Sequence, residues 1–354
     1  MLRDYKYSSL CVVICTAVGF AACTRNPDKA KRAAETSGDR YVSQQKYREA
    51  IIEYRRALQY DPRFGEAHLK LGRSYLAIGD AQHAYPELVR AGDFLPDNAE
   101  AQLQADQVLL LTRRFDEAKQ RAIGVLAKTP KNVDAHILLG NALAGLKDLD
   151  GAITQVEQAI DNDPLRVLSY TNLGLPQFAK GNRAAAEAAF MQGIAADPKS
   201  SSAHLGLANY YWASGQTGYA ERELKAAADV DPKSTLANRA LAAFYIVARR
   251  PADAEKYLKA LAESSQGVDS KLTLADFYLT NGRTKDARAI LDPLVAAPDG
   301  FVPAKLRIAA IEYAEGRRDE AHAMLEEVLK RDAKNEPAHL VKTRFLLRVR
   351  CEIN

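Results

Sequence analysis

The residues of this sequence best suited to chemistry are its six histidines and four cysteines, since both types bind metals and cysteine also forms disulfides. His68, His136 and His204 follow one another at intervals of 68 residues, and His339 lies further along the chain. Such an interval spans two of the 34-residue repeats identified below. Helix packing at about 8–10 Å then separates neighbouring histidines by roughly 20 Å. We therefore predict no metal centre and no cofactor.

No catalytic motif accompanies these residues. The sequence has no phosphate-binding loop, no His-Glu-x-x-His, no Gly-x-Ser-x-Gly and no Cys-x-x-Cys. Paired carboxylates such as Glu326 and Glu327 fit a solvated helix face. The 49 basic residues are interleaved with 45 acidic ones, which gives no basic patch for nucleic acid. We predict that the chain is not an enzyme and has no nucleic-acid partner.

Residues 1–22 have the pattern of an export signal. The segment Leu10–Ala22 is free of charge, and its 13 residues are too few to span a bilayer, which takes roughly 20. This length is typical of the apolar part of a signal peptide. The Phe-Ala-Ala-Cys motif that ends at Cys23 resembles the lipobox of bacterial lipoproteins. The resemblance implies removal of residues 1–22, lipid attachment at Cys23 and a tether over residues 23–30.

The residue after the cysteine bears on localisation. Thr24 favours the outer membrane, so the resemblance implies a lipid-anchored protein of the bacterial cell envelope that faces the periplasm. Two alternatives stay open, since cleavage after Ala21 would release a soluble periplasmic protein and an uncleaved signal would itself be an anchor. Cys11 and Cys15 would leave with the signal and Cys23 would carry lipid, so only Cys351 would keep a thiol and no intrachain disulfide is expected.

The rest of the chain repeats with a period of 34 residues. Six prolines recur at this spacing, namely Pro62, Pro96, Pro130, Pro164, Pro198 and Pro232. We number each repeat so that this proline is position 32. Position 20 is then alanine in all nine repeats, and position 8 is glycine or alanine in every repeat except the third, where Asp106 stands.

Small residues at positions 8 and 20 with proline at position 32 resemble the tetratricopeptide repeat, a helix–turn–helix unit. The resemblance covers residues 31–335 as nine repeats and residues 336–354 as an incomplete tenth. It implies an all-α fold, a solenoid that winds as a right-handed superhelix. One such helix pair cannot bury its apolar stripe alone, so stability depends on stacked neighbours. The unpaired tenth helix either binds something at its apolar edge or marks a shortened array.

The resemblance also implies that positions 2, 5, 9, 12 and 13 of each first helix line a concave groove. We predict that a protein or peptide ligand binds there, with apolar anchors and amide hydrogen bonds. The candidate residues are Arg73, Gln107, Asn141, Asn172, Phe178, Asn209 and Trp212. The only tryptophan of the chain is the candidate anchor.

Asn141 and Asn172 resemble the asparagine pair that holds a peptide backbone in carboxylate-clamp repeats. The basic partners of that clamp are missing, because Ile137, Ser202 and Gly206 occupy the corresponding positions. A ligand of the carboxylate-tail type is therefore not expected.

The functional prediction is a noncatalytic, membrane-tethered scaffold for protein–protein interaction. The lipobox, the short tether and the run Gly-Asp-Arg-Tyr…Lys-Tyr-Arg-Glu-Ala-Ile-Ile-Glu-Tyr-Arg-Arg-Ala-Leu resemble the tetratricopeptide-repeat lipoproteins of exosortase (PEP-CTERM) and exopolysaccharide export systems. An alternative is a lipoprotein of outer-membrane assembly or of pilus secretion, although those arrays are shorter. A periplasmic enzyme or carbohydrate-binding protein is a third interpretation, and it lacks a convergent pair of acids.

Overall fold

The computed structural model describes residues 26–264 and 267–353, with side chains as far as residue 347, and within these residues every regular element is an α-helix. The helices fall into two compact units, which we call the N-terminal unit, up to Asn182, and the C-terminal unit, from Arg183. The predicted signal, the predicted lipid-attachment residue Cys23 and Thr24 lie outside the described residues.

The N-terminal unit contains nine helices among its described residues. They are α1 (Pro27–Ser43), α2 (Tyr47–Tyr60), α3 (Gly65–Ala77), α4 (Ala81–Phe94), α5 (Ala99–Leu111), α6 (Phe115–Lys128), α7 (Val133–Gly145), α8 (Leu149–Asn162) and α9 (Val167–Ala179). Each helix from α1 to α8 packs on the next one in the chain, and α7 also contacts α5 and α9. The first helices of successive repeats therefore lie side by side, as in a tetratricopeptide solenoid.

The C-terminal unit continues the alternation over its described residues. Its helices are α10 (Arg183–Ala196), α11 (Ser201–Ala213), α12 (Thr217–Val230), α13 (Thr235–Val247), α14 (Pro251–Ser264), α15 (Val268–Thr280), α16 (Thr284–Leu294), α17 (Pro298–Ala314), α18 (Arg318–Arg331) and α19 (Glu336–Ile353). Where the recurring proline is lost, helix lengths change: α16 has 11 residues and α17 has 17, against 13 or 14 for the helices from α10 to α15.

The small residues at positions 8 and 20 set how closely the two helices of a repeat approach. The nine alanines at position 20 are all buried. A Cβ placed on Gly72 would lie 2.7 Å from Leu88, and one on Gly140 would lie 2.7 Å from Val156. Because real Cβ atoms do not come so close to their neighbours, a larger residue at position 8 would force the helices apart. The small residues at positions 8 and 20 therefore allow the two helices of a repeat to approach closely.

The turn inside each repeat has one residue with a positive φ. At position 15 the backbone φ is positive in all nine repeats, with glycine in five of them. The other four residues are Gln45, Arg113, Lys147 and Arg249. The left-handed conformation costs a residue with a Cβ about 1–2 kcal/mol, so these four turns store strain.

Prolines inside helices do not interrupt the array in the N-terminal unit. Helix α4 continues through Pro86, and α9 continues through a buried Pro176. Pro176 has no N–H, so the carbonyl of Asn172 has no donor at the usual place four residues on. In the C-terminal unit Pro293 falls at the end of the shortened α16.

Candidate functional site

A cavity of about 530 Å³ opens between α5, α6, α7 and α9 of the N-terminal unit. We call it the amide cavity, because three amide side chains line it: Gln107, Asn141 and Asn172. Its other lining residues are Leu110, Leu111, Phe115, Asp134, Ile137, Leu138 and Leu168. The sequence analysis selected the three amides, and the fold brings them to one site.

Repeat geometry places the amides. Gln107 and Asn141 occupy position 9 of successive repeats, and Asn172 occupies position 6 of the repeat that follows. Gln107 is exposed, Asn141 is half-buried and Asn172 is 9% exposed. Helix α7 contacts both α5 and α9, which is why residues 31 and 65 positions apart can share a cavity.

The amides differ in how far they are engaged. Asn172 donates through Nδ2 to the Leu168 carbonyl at 2.8 Å, which leaves its side-chain oxygen as an acceptor. The side chain of Asn141 makes no hydrogen bond with any residue that the structure describes. The cavity therefore presents amide donors and acceptors that a ligand can use.

The wall of the cavity is apolar and partly open to solvent. Leu111 is 68% exposed and Leu168 is 50% exposed, whereas Ile137 is buried. Exposed leucines beside buried ones favour an apolar ligand group, because covering them removes apolar surface from water.

Charge is balanced at the cavity. Asp134 is the only ionisable residue of the lining, and it forms an ion pair with Arg166 at the start of α9. The amide cavity therefore offers a ligand neutral hydrogen-bonding groups and apolar surface, without an unpaired charge.

Elsewhere in the array, the side chains at position 9 of one repeat and position 6 of the next contact each other directly. In the first two repeats Lys70 donates to Asp39 at 2.8 Å. In the C-terminal unit Arg307 donates to both carboxylate oxygens of Asp276, at 2.6 and 2.7 Å. The amide cavity is thus a place where neighbouring repeats leave these positions unbridged.

Arg73 also makes such a contact between neighbouring repeats. Its Nε donates to Gln104 at 3.2 Å, and its guanidinium forms an ion pair with Glu100. Arg73 was predicted as a groove residue that contacts a ligand. In the structure its contacts hold the second repeat to the third.

The remaining candidates lie apart from the amide cavity. Phe178 is half-buried on α9 and is not part of the lining. Asn209 and Trp212 belong to the C-terminal unit, where Asn209 is exposed. Trp212 is half-buried, and its ring meets the ring of Phe244 edge to face at 5.3 Å.

Six apolar residues of the lining were not among the predicted site residues: Leu110, Leu111, Phe115, Ile137, Leu138 and Leu168. Four of them, Leu110, Leu111, Ile137 and Leu168, occupy positions 12, 13, 5 and 2 of their repeats. These are groove positions, so reading all five groove positions for apolar residues would have found four of the six. Leu138 occupies position 6 and Phe115 begins the second helix of its repeat, both outside those positions.

The C-terminal unit uses its repeat junctions differently. There the tyrosine at position 11 donates to a glutamate of the preceding repeat. We call the resulting row of contacts the carboxylate ladder, which consists of Tyr211–Glu187 at 2.8 Å, Tyr245–Glu221 at 2.9 Å and Tyr278–Glu255 at 3.0 Å.

Arginines strengthen two of these contacts. Arg250 donates to Glu221 at 2.7 Å, and its guanidinium lies 4.7 Å from the centre of the Tyr245 ring. Arg283 repeats the arrangement one repeat later, with Glu255 at 2.5 Å. Each carboxylate therefore accepts from a tyrosine and an arginine at once, which is a strong combination because one partner is charged.

These contacts shift the pKa values of the groups involved. Hydrogen bonds from Lys225 and then Arg250 lower the pKa of Glu221 to about 2. Those from Arg283 and then Lys259 lower the pKa of Glu255 to about 2. Burial, followed by the hydrogen bond to Glu221, raises the pKa of Tyr245 to about 12. Glu221 and Glu255 are therefore ionised, and Tyr245 is neutral, near neutral pH.

The four histidines at position 4 have a structural role. His68 reaches the Pro62 carbonyl at 2.9 Å through Nε2 and Glu87 at 2.5 Å through Nδ1. His136 makes the equivalent contacts with Pro130 and Gln155, both at 2.9 Å. His204 contacts Glu223, and His339 contacts the carbonyl of Ala333. His68 and His136 therefore tie the turn before their repeat to the second helix of that repeat, whereas His204 and His339 each make one of these two contacts.

Two further properties of the described residues concern metal binding and membrane insertion. No group of three or more histidine, cysteine, aspartate or glutamate side chains is arranged there to hold a metal ion. None of the helices in that part of the chain is both long and apolar enough to cross a membrane.

Comparison with known protein families identifies the repeats. Family models described as tetratricopeptide repeat match residues 107–166, 171–218, 205–269 and 245–304, and one described as TPR repeat matches residues 38–79. Together the matched segments make up more than half of the chain. No curated protein matches the sequence.

Solved structures similar to this chain each match about half of it. MamA from Desulfovibrio magneticus has 21% sequence identity, covers 48% of this chain and 96% of its own, and gives a TM-score of 0.43. A thermophilic TPR protein of Thermus thermophilus has 21% identity, with coverage of 51% and 99% and a TM-score of 0.46. YrrB, described as a TPR protein with an unusual peptide-binding site, has 19% identity, coverage of 53% and 96%, and a TM-score of 0.34. By its family matches and its alternating helices, the chain belongs to the tetratricopeptide-repeat proteins.

Proposed function

We propose that this chain is a noncatalytic scaffold whose amide cavity binds a short polypeptide segment of a partner protein. The observation that carries the proposal is the set of unbridged amides beside partly exposed leucines. Its volume of about 530 Å³ lies within the range of small-ligand sites, and it would hold one or two side chains of a peptide.

The chemistry of the lining suits a peptide backbone. A side-chain amide both donates and accepts, so Asn141 and Gln107 can pair with a peptide N–H and C=O together. The leucines would cover an apolar side chain of the same segment. The only carboxylate of the lining is already paired with Arg166, which disfavours a ligand that depends on charge.

A catalytic function has little support at the same site. Acid–base or nucleophilic catalysis needs a titratable group free to exchange a proton, with a second group to orient it. Asp134 is the one titratable side chain of the lining, and Arg166 holds it as an ion pair.

Photo-crosslinking tests the binding site. A crosslinking residue at Asn141 should capture a partner protein in envelope extracts, and the double variant Asn141→Ala/Asn172→Ala should weaken binding of that partner by about tenfold, from two lost hydrogen bonds. Asn209→Ala is the matched control, because Asn209 is an exposed asparagine at the same repeat position in the C-terminal unit. Equal losses from the cavity variant and the control would contradict a site at the amide cavity.

We further propose that Cys23 carries lipid and holds the array at the bacterial outer membrane, facing the periplasm. Helix α1 begins at Pro27, and Asn26 caps it by accepting from the Asp28 amide at 3.0 Å. Residues 27–30, assigned to the tether in the sequence analysis, are therefore helical. Only residues 24–26 would remain as a linker of about 10 Å, which would keep the first repeat close to the membrane surface.

Fractionation tests the anchor. The variant Cys23→Ala should move from the membrane fraction to the soluble fraction, because its thioether lipid can no longer form. Cys351→Ala is the matched control and should stay in the membrane fraction. A Cys23→Ala protein that remains membrane-bound would overturn the lipid anchor without affecting the cavity proposal.

The resemblance of the N-terminal segment supports a proposal for the export system in which the scaffold acts. We propose exopolysaccharide export of the exosortase (PEP-CTERM) type. Deletion of the gene should abolish or reduce surface polymer, and the wild-type chain should restore it while the Asn141→Ala/Asn172→Ala variant should not. Normal polymer with defective outer-membrane protein assembly or pilus secretion would instead favour the alternative class of lipoprotein.

A further inference from the structure

Asp106 is the buried titratable residue that the proposed function does not use. It is fully buried on α5, and both of its carboxylate oxygens lack a hydrogen-bond partner among the described residues. It also stands at position 8, where the other eight repeats have glycine or alanine. A polar group placed there without a partner is costly, so its presence calls for a physical explanation.

Space for Asp106 comes from a size exchange within its own repeat. The residue 16 positions after position 8 contacts it in other repeats, as Leu88 does for Gly72 and Val156 for Gly140. In the third repeat that residue is Ala122, which is fully buried. The third repeat therefore has its larger side chain on α5 and its smaller one on α6. A carboxyl group, rather than a hydrocarbon side chain, fills the contact between the two helices.

One charged neighbour acts on Asp106. Arg121 of α6 favours the ionised carboxylate through its charge. Its guanidinium is already engaged, because it donates to Gln102 at 3.1 Å and forms an ion pair with Asp93 of α4. Arg121 thus moderates the cost of an ionised Asp106 but does not pair with it.

Most of the remaining titratable groups on α5 and on the helices packed against it are also engaged. On α7 they are Asp134, paired with Arg166, and His136, held by Gln155 and a backbone carbonyl. On α4, Glu87 contacts both His68 and Arg90, and His83 contacts Asp80. On α6, Glu117 pairs with Arg114 at the exposed end of the helix. Of the other titratable residues of these helices, Glu100 of α5 pairs with Arg73, and Lys128 of α6 pairs with Asp97. The rest are Tyr85 of α4 and Asp116 and Lys119 of α6.

We propose that Asp106 is a proton-dependent latch, which closes the α5–α6 pair when it is protonated and loosens the pair when it is ionised. The neutral acid fits an apolar helix crossing, whereas the unpaired carboxylate has to reach water or a cation. Since α5 also carries Gln107 and Leu110, loosening α5 would disrupt the amide cavity. This inference concerns the stability of one repeat and goes beyond the proposed function, so it does not require a partner.

The direction of the pH dependence follows from burial. Burial raises the pKa of Asp106 to about 8, with Arg121 opposing the shift. In the unfolded chain the carboxyl has its ordinary pKa of 3.8. The folded state therefore binds the proton more tightly, and the stability of the pair should fall as pH rises from about 4 to about 8 and then become constant.

Hydrogen exchange of the full chain tests the latch. After correction for the intrinsic pH dependence of exchange, amides of α5 and α6 should lose protection between about pH 6 and about pH 8. Those of α7 and α8, which have the glycine–valine arrangement, serve as the internal reference and should not. Asp106→Asn keeps the shape but cannot titrate, so its α5–α6 protection should not change over this range.

A second variant covers the case in which the asparagine disturbs folding. Asp106→Gly/Ala122→Val restores the glycine–valine arrangement of the fourth repeat and should give strong, pH-independent protection. Infrared spectroscopy should show the carbonyl stretch of a protonated carboxyl group in the wild type at about pH 6, absent from this variant. Constant wild-type protection, an unchanged pH dependence in either variant, or no such carboxyl band would overturn the proposal.

Discussion

The amide cavity of the N-terminal unit and the carboxylate ladder of the C-terminal unit are two outcomes of the same repeat geometry. In the ladder, tyrosine, glutamate and arginine of neighbouring repeats satisfy one another, as Tyr245, Glu221 and Arg250 do. At the cavity, neighbouring repeats meet with amides that leave hydrogen-bonding capacity unused. A repeat junction can therefore stabilise the array or remain open to a ligand, according to a few side chains.

The ladder also adapts to a change of charge. At the junction of α16 and α17, Arg288 replaces the glutamate of the earlier repeats and Glu312 replaces the tyrosine. Arg288 donates to Glu312 at 2.6 Å, and Arg317 also binds that carboxylate. The contact between repeats is kept with the donor and the acceptor exchanged. This indicates that complementary side chains across the junction matter more than the residue types.

The two units also differ in how many of their turns are strained. Of the four residues other than glycine with positive φ, Gln45, Arg113 and Lys147 lie in the N-terminal unit and Arg249 lies in the C-terminal unit. Strained turns reduce stability, so the unit that carries the open cavity also holds more stored strain.

The largest effect is expected from removing a ladder tyrosine. Tyr245 is 2% exposed, and Tyr245→Ala should lower the free energy of unfolding by about 3–5 kcal/mol, since it leaves a large cavity and removes one of the hydrogen bonds that Glu221 accepts. Tyr245→Phe removes only the hydroxyl and should cost about 1 kcal/mol. Chemical denaturation followed by fluorescence of Trp212, the only tryptophan, measures both in the C-terminal unit.

The matched control lies in the other unit. Tyr75 also occupies position 11, but its ring stacks on His83 at 5.3 Å and its hydroxyl has no hydrogen bond to the described residues. Tyr75→Phe should therefore leave stability nearly unchanged, as measured by circular dichroism. If Tyr75→Phe costs as much as Tyr245→Phe, the ladder hydrogen bond is not what distinguishes the units.

Acid should weaken the C-terminal unit next most strongly. Glu221 and Glu255 have pKa values of about 2 in the folded chain and 4.5 when unperturbed. Their contribution is therefore fully present above about pH 4.5 and is lost as pH falls toward about 2. After allowance for solvent screening, we expect about 1 kcal/mol from each carboxylate. An acid titration followed by Trp212 fluorescence measures this loss.

Neutral replacements provide the comparison for that titration. Glu221→Gln/Glu255→Gln should be less stable at neutral pH and should lose less stability than the wild type between about pH 4.5 and about pH 2. An unchanged acid dependence in the double variant would show that other carboxylates control the acid transition.

The smallest effect is expected at a strained turn of the N-terminal unit. Arg113 has a φ of 61°, so Arg113→Gly should raise the free energy of unfolding of this region by about 0.5–1 kcal/mol. Gly79 has a φ of 78° at the same position, and Gly79→Ala should lower stability by about 1 kcal/mol. Thermal denaturation measures both, and a loss of stability in Arg113→Gly would mean that the arginine side chain contributes more than its backbone strain costs.

Much of the local fold could be predicted from the sequence, because it depends on spacing. The alanines at position 20 and the small residues at position 8 specify close helix pairs, and all of those alanines are buried as expected. The boundaries could not be set as closely, since α1 begins at Pro27 inside the predicted tether.

The candidate site was predictable in part. Gln107, Asn141 and Asn172 were selected by repeat position, and they line one cavity. Arg73 fits the same positional rule, yet it is engaged with Gln104 and Glu100. Repeat position indicates which surface a residue faces, but whether that residue is free depends on its neighbour 31 positions further on.

The sequence by itself determined the helical repeat, its period and the residues at each helix crossing, because these follow from contacts between residues close in the chain. Only the tertiary structure decided which junctions are bridged, where the cavity opens and that Asp106 is buried without a partner. Those properties depend on side chains from three or four helices meeting in space, and on whether each polar group finds a partner there.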